Sequence, residues 1–361
     1  MKNLLIYAFL VILLANCRTN QPQQAAQKYP QVAADIETPA VRARPQDDAA
    51  DDPAIWVHPT DPSKSVVIGT VKKYGLEVYR LDGTLVHSYK IGNPNNVDIR
   101  NGFRLGDGST TDLVVFSDRF TNELAVYAIN PTDYSLTEMP GGRIKTALAE
   151  VYGICLYKDL SGVFYVFING KDGTVEQYQL TAAGLKGIQG IRKRTLKLQT
   201  QPEGMVADDQ NGIVYFGEED KGIWRVAAAP DAVATPQFIP NSGLSNPNIK
   251  FDVEGLAIYP TSASDGYLIA SSQGNNTYAV FERQGNNHYL GSFAIGDFAI
   301  DGTSDTDGIE VTAFPLGTAF PKGLFVAQDG GNKDAMGKLT GQNFKLVSWE
   351  KIEQVIKTFG R

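Results

Sequence analysis

Four stretches of the chain, VYGICLY, PEGMVAD, VEGLAIY and TDGIEVT, repeat one outline at near-constant spacing. Their glycines, Gly153, Gly204, Gly255 and Gly308, recur every roughly 51 to 53 residues, the length of one propeller blade. Two earlier segments, PAIWVHP from Pro53 and NNVDIRN from Asn95, hold the same place in the pattern without the glycine, which suggests six units. Each unit reads as an inner strand, a turn and a second apolar strand. The runs favour Val, Ile, Tyr and Phe and are broken by Gly, Asp and Asn, which is strand and turn chemistry. With 361 residues, 42% of them hydrophobic, the chain can bury the core of one large domain. The expected fold is all-β, a six-bladed β-propeller in a single domain over residues 45–361, closed by a short helix from Trp349 to Thr358.

The N-terminus follows a different rule. Lys2 precedes an apolar run from Leu4 to Leu14, and Ala15, Asn16 and Cys17 end it, so residues 1–17 read as an export leader with a lipobox-like end. Cys17 is then the expected site of lipidation and the only attachment to a bacterial membrane; without acylation the protein would be secreted. Residues 18–44, rich in Gln, Ala and Pro, read as a disordered tether. The other cysteine, Cys155, has no partner in this scheme, so no disulfide is expected.

The formal net charge is −7 and the sequence pI about 5.1, which argues against a nucleic-acid partner, because such binding needs a basic face to displace counterions. An anion has to be met locally. The loops after the second strands supply the means: Lys72 and Lys73, Arg119, Lys171 with Asp172, Glu218 to Asp220, Gln273 to Asn275, and Asp329 with Asn332. In a propeller, equivalent loops fall on one face and become neighbours.

Acids concentrate on the same pattern. The segment DGTSDTDGIE carries Asp301, Asp305, Asp307 and Glu310, and its oxygen-only donors suit a hard cation such as calcium, although the spacing is not that of an EF-hand. Asp51 and Asp52 precede the first inner strand, Glu203 and Glu254 stand beside Gly204 and Gly255, and Asp252 lies two residues earlier. Placing Glu203, Glu219, Asp252, Glu254 and Asp307 around one axis would raise their pKa values and destabilise the fold unless cations lie between them. Such a site also suits phosphate transfer to water, with Lys72, Lys73, Arg119 and Lys171 neutralising the phosphate oxygens.

Other phosphatase chemistries find no support. The three histidines, His58, His87 and His288, form neither an RHGxRxP loop nor an HD pair. Cys155 has Ser161, not arginine, six positions on, and no GxSxG elbow occurs. So few histidines also disfavour transition-metal catalysis.

The segments DDPAIWVHP, VKKYGLEVY, NNVDIR, EVYGICLY, NGKDGTVEQY, EGMVADD, GEEDKGIW, DVEGLAIY, GYLIASSQGNNTYAVFERQG, DGTSDTDGIEV and GLFVAQDG together resemble, in order, the bacterial β-propeller phytases, over nearly the whole chain after the leader. The resemblance implies a calcium-dependent 3-phytase acting on phytate or calcium-phytate, with several calcium ions, structural and catalytic. It implies that Lys72, Arg119, Tyr152 and Lys171 hold phosphate, and that Glu203, Glu219, Asp252, Glu254, Asp301 and Asp307 surround the catalytic ions together with Asp51. By the same resemblance Asp52, with backbone oxygens near Val97, is a separate structural ligand, and Asp329 a further one near the first blade. Asn93 stands where relatives often carry a basic residue, and Gly331 where some carry an acid. A monomer is expected. Two other classes compete: a non-catalytic calcium-binding propeller that captures inositol phosphates or other polyanions, and a propeller lactonase or esterase. The second would need a single metal in a neutral pocket, without the Lys and Arg loops.

Overall fold

A computed structural model of the chain describes residues 29–233 and 235–360. Six antiparallel sheets succeed one another along the sequence, so the fold is a six-bladed β-propeller, as the repeat requires. The innermost strands are Ala50–Trp56, Pro94–Arg104, Val151–Lys158, Pro202–Asp208, Val253–Pro260 and Ile309–Thr312, and each coincides with one repeated segment. They pack side by side around an axis, the last against the first. Apolar layers fill the wedges between blades, for example Leu113, Val126, Leu156 and Val166 between the second and third. A similar layer of Val67, Tyr79, Val326 and Phe344 joins the sixth blade to the first.

The ring is closed by chain that composition assigned to the tether. The last blade has three strands of its own, Ile309–Thr312, Leu324–Lys333 and Leu339–Ser348, and the fourth is Ile36–Glu37, antiparallel to Leu339–Ser348. Gln31–Val32 adds a parallel edge strand to the fifth blade beside Tyr289–Ile295. Residues 29–44 therefore differ from the disordered reading. Val32 and Val41 are buried in the blade cores, so this stretch contributes apolar area that its Gln, Ala and Pro content conceals. The leader and Cys17 lie outside the described residues. Cys155 is buried and free.

The helix Trp349–Ile356 buries Trp349, Ile352 and Ile356 against the last two blades, and the Trp349 ring stacks on Tyr259 with centroids 3.6 Å apart. It acts as a cap, as expected.

Each inner strand is interrupted near its start by the same irregularity. In the first five blades two consecutive residues oppose one on the second strand, a β-bulge: Asp51 and Asp52, Asn95 and Asn96, Tyr152 and Gly153, Glu203 and Gly204, Glu254 and Gly255. Asp307 and Gly308 hold the equivalent place just before the sixth inner strand. Bulges re-aim side chains at the ends of sheets. Side chains on the second strands hold several of these turns: the N–H of Asp52 donates to Thr70 Oγ1 at 2.9 Å, that of Asn96 to Ser117 Oγ at 3.3 Å, and that of Asp307 to Gln328 Oε1 at 2.9 Å.

Candidate active site

The bulges build a ring of side chains at the axis: Asp51, Asn95, Tyr152, Glu203, Glu254 and Asp307, one per blade. Around it stands a second ring formed by the first residue after the second strand of each of the first five blades, Lys72, Arg119, Lys171, Glu219 and Gln273. One backbone bond recurs to pin this outer ring. The N–H of Lys72 donates to Ala49, that of Arg119 to Asn93, that of Lys171 to Glu150, that of Glu219 to Gln201 and that of Gln273 to Asp252. Residues some 50 apart in sequence thus meet because five of the six units repeat one hydrogen-bond scheme.

Glu203, Glu219 and Glu254 each offer one carboxylate oxygen, and the three oxygens lie within 4.8 Å of one another. Asp51 is fully buried with neither carboxylate oxygen hydrogen-bonded, and Glu254 Oε2 is likewise buried without a partner. Lys72 reaches into this group: its Nζ stands 3.5 Å from Asp51 Oδ1, 3.0 Å from Asp307 Oδ2 and 3.0 Å from Asp48 Oδ1. Orphaned buried carboxylate oxygens are costly, and an all-oxygen donor set is what a hard cation requires. These residues fit calcium.

The electrostatics agree. Burial, and then the neighbouring acids, push the carboxyl of Glu219 up to about 7. Burial likewise raises Asp307 to about 6 despite Lys72 beside it, and raises Asp51, Glu254 and Asp252. Burial opposes the charge on Lys72, but Asp51, Asp307, Glu203 and Asp48 together overcome it and raise its pKa. The Tyr152 hydroxyl is raised by burial and then by Glu203, Asp51 and Glu254, so it stays protonated as a donor.

The basic side is organised around Tyr152. Its ring lies 4.6 Å from Lys171 Nζ and 5.4 Å from the Arg119 guanidinium carbon, within cation–π range. Both cations also reach Glu150 Oε1, at 3.4 Å and 3.3 Å. Carboxamides brace the acids: Gln201 Nε2 donates to Glu219, and Gln273 Nε2 donates to Asp307 Oδ1 at 2.6 Å.

Of the residues singled out in the sequence, the structure gathers Asp51, Lys72, Arg119, Tyr152, Lys171, Glu203, Glu219, Glu254 and Asp307 in these two rings, with Asp252 half-buried beside Gln273. Others lie elsewhere. Lys73 is exposed in the turn, with φ 66°, beyond the rings. Asp52 turns down the axis, apart from the rings, where its Oδ2 accepts from the N–H of Val97 at 3.0 Å. The acids of DGTSDTDGIE are dispersed. Asp307 enters the inner ring and Asp305 is exposed, while Glu310, raised to about 8 by burial and Asp98, faces the opposite mouth of the channel. Asp301, expected with the catalytic ions, instead pairs with the fully buried ammonium of Lys345, which also meets Glu37 Oε2 at 2.5 Å and Asp329 Oδ2 at 3.5 Å. Asp301 and Asp329 thus form a second charge cluster that helps hold the closing strand.

The opposite mouth contains a cavity of about 590 Å³ bordered by Asp98, Arg100, Asp209 and Glu310. The two arginines that line it are already paired, Arg100 with Asp98 at 2.8 Å and Asp209 at 2.9 Å, and Arg283 with Asp208 at 2.6 Å.

Residues overlooked in the sequence are Asn95, Glu150 and Gln201. Their signal was the repeat itself, because Asn95 aligns with Tyr152, Glu203 and Glu254, and Glu150 and Gln201 align two residues ahead of the bulge.

A six-bladed propeller with acids at the axis that could hold a metal ion, and cations on one side of them, has the makings of an anion-binding protein. Comparison with known proteins narrows it. The family model described as Phytase matches residues 2–359, and the chain belongs to that family. The 3-phytase of Bacillus subtilis (strain 168) is 47% identical over 329 residues, 90% of this chain and 85% of that protein. Among solved structures, an α-L-arabinofuranosidase of Fusarium graminearum in complex with an iminosugar inhibitor is similar in fold, with a TM-score of 0.56 at 12% identity, covering 91% of this chain and 100% of that one.

Proposed function

We propose that the protein is a calcium-dependent phosphomonoesterase that hydrolyses phytate, releasing inorganic phosphate and lower inositol phosphates. The observation that carries this reading is the juxtaposition, with the cations Arg119 and Lys171 across Tyr152, of buried carboxylate oxygens on Asp51 and Glu254 that accept no hydrogen bond. Acids alone would repel phytate, and cations alone would bind it without activating water. Family membership and the 3-phytase relative supply the substrate class.

Asp51, Glu203, Glu219, Glu254 and Asp307 would hold calcium. The chemistry supplied by calcium there is neutralisation of charge and polarisation of the attacking water. The chain's own residues do the rest. Arg119 and Lys171 take up the equatorial phosphate oxygens as charge develops, and Lys72 joins them once its carboxylate partners are otherwise neutralised. The Tyr152 hydroxyl donates a hydrogen bond from the floor. Water adds to phosphorus through its oxygen, the bond from phosphorus to the inositol oxygen breaks, and the proton given up by the water ends on that oxygen, which leaves as a hydroxyl.

The test is phosphate release from phytate by the purified protein, first with EGTA and then with excess calcium. Release only with calcium is expected; equal release under both conditions rejects the metal role, and none under either rejects the enzyme. Export and lipidation at Cys17 belong to the same proposal, motivated by the leader sequence. A Cys17→Ser protein that stays in the membrane fraction would reject the anchor.

A further inference from the structure

The six inner bulge positions hold four acids, one tyrosine and one carboxamide, and the carboxamide is the member to which the reading above gives no role. Asn95 is fully buried. Its Nδ2 donates to Glu203 Oε1 at 2.6 Å and to Asn96 Oδ1 at 2.9 Å, and its Oδ1 accepts from Arg119 Nη1 at 3.2 Å. Glu203 is one of the three glutamates that converge on a common point, and Arg119 is one of the two cations flanking Tyr152. An ionised carboxylate only accepts hydrogen bonds and a guanidinium only donates them. Between these two, a carboxamide has a single satisfying orientation, which fixes both partners at once.

We propose that Asn95 is a positioning residue that couples the cation-holding carboxylates to the phosphate-holding arginine, so that cation and phosphate bind cooperatively. The proposal rests on the functional reading above. With Glu203 drawn onto a cation, Asn95 keeps its oxygen toward Arg119, and the guanidinium is held over Tyr152 between Asn95 and Glu150 Oε1. An aspartate at 95 would keep the acceptor for Arg119 but replace the donor to Glu203 with a like charge. A leucine would remove both links. Coupling of this kind is reciprocal: the factor by which calcium tightens phosphate equals the factor by which phosphate tightens calcium.

The experiment is calorimetric titration of the purified protein with inorganic phosphate, with calcium saturating and with calcium chelated. The ratio of the two affinities is the coupling factor. Asn95→Leu is expected to weaken phosphate binding in saturating calcium by about tenfold, the low end of what loss of a hydrogen-bond partner to a metal-binding residue costs. In an Arg119→Ala background the same substitution should cost less than about threefold, since contacts that share a partner are not additive. An equal loss in both backgrounds would mean that Asn95 acts through general packing, and would overturn the proposal. Asn95→Asp preserves size if the leucine variant does not fold. Its coupling factor should fall at least about threefold, as expected when a like charge replaces a donor in a shared network; an unchanged factor overturns the proposal too. A wild-type protein that binds no phosphate with calcium would overturn the functional reading as well, whereas normal wild-type coupling with unaltered variants would overturn the role of Asn95 alone.

Discussion

Gly204 faces the backbone of Glu254 so closely that a Cβ at position 204 would lie 2.0 Å from the Glu254 carbonyl oxygen. The same contact steps around the ring. A Cβ on Gly153 would meet the Glu203 carbonyl at 1.9 Å, one on Gly255 the Asp307 carbonyl at 2.7 Å, and one on Gly308 the Asp51 carbonyl at 2.8 Å. Each repeat glycine therefore admits the next blade at the residue that carries a site carboxylate. Gly204→Ala is expected to destabilise the fold by about 1–3 kcal/mol, as overpacking against backbone does. It should also weaken calcium binding, because Glu254 can yield only by moving its own carboxylate. Thermal unfolding and calcium titration of the variant check both; a normal calcium affinity would show that the approach serves packing alone.

The raised carboxyls predict how the calcium-free protein responds to pH. Ordinary carboxylates titrate near about 4, whereas Asp307 is pushed up to about 6 and Glu219 to about 7. Between those limits the folded chain holds more protons than the unfolded one. The corresponding stability is fully present below about 4 and is lost as pH rises through about 6 to 7. Calcium held as proposed would relieve the repulsion among these acids, so the rise in melting temperature on adding calcium should grow from pH 5 to pH 7.5. Calorimetry across that range tests this; a calcium effect independent of pH would contradict it.

Lys72 stands among Asp48, Asp51 and Asp307 with its side chain 14% exposed, in effect an internal cation for the metal-free cluster. Removing one partner of a buried charge group leaves the others uncompensated, which typically costs about 3–5 kcal/mol. Lys72→Met should destabilise the chelated protein by an amount of that order, and by much less in saturating calcium, while weakening phosphate binding chiefly in saturating calcium. Denaturant titrations with and without calcium give the comparison. An equal loss in the two conditions would mean that Lys72 and calcium do not serve the same carboxylates.

The legibility of this fold depended on which structural constraint each residue obeys. The repeat glycines and apolar inner strands are local signals, so six blades and the loop-end bases could be read directly. Asn95 obeys the same repeat, but its neutral side chain carries no charge to attract notice. The pairing of Asp301 and Asp329 with Lys345 could not be read in the same way, because that lysine lies on the next strand with no motif to mark it. The closing strand Ile36–Glu37 was missed because a two-residue edge strand has too few positions to show a period.

Glu203 provides the sharpest test of the site, since it takes part in the cluster, the coupling and the electrostatics together. It is buried, receives the Asn95 amide at 2.6 Å, and is among the charges that raise Asp51, Glu219, Glu254 and Tyr152. Glu203→Gln keeps the volume and one acceptor oxygen while deleting the charge. Relief of repulsion should make the chelated variant at least as stable as the parent, since the neighbouring acids lose a like charge. Calcium affinity and phytate turnover should nevertheless fall by more than about 100-fold, the upper end of what losing a residue one step removed from a metal costs. Parallel measurement of melting temperature in EGTA and of phosphate release in calcium separates the two effects. A variant that loses stability and activity together would point to a packing role, and one that keeps full activity would remove Glu203 from the cation site.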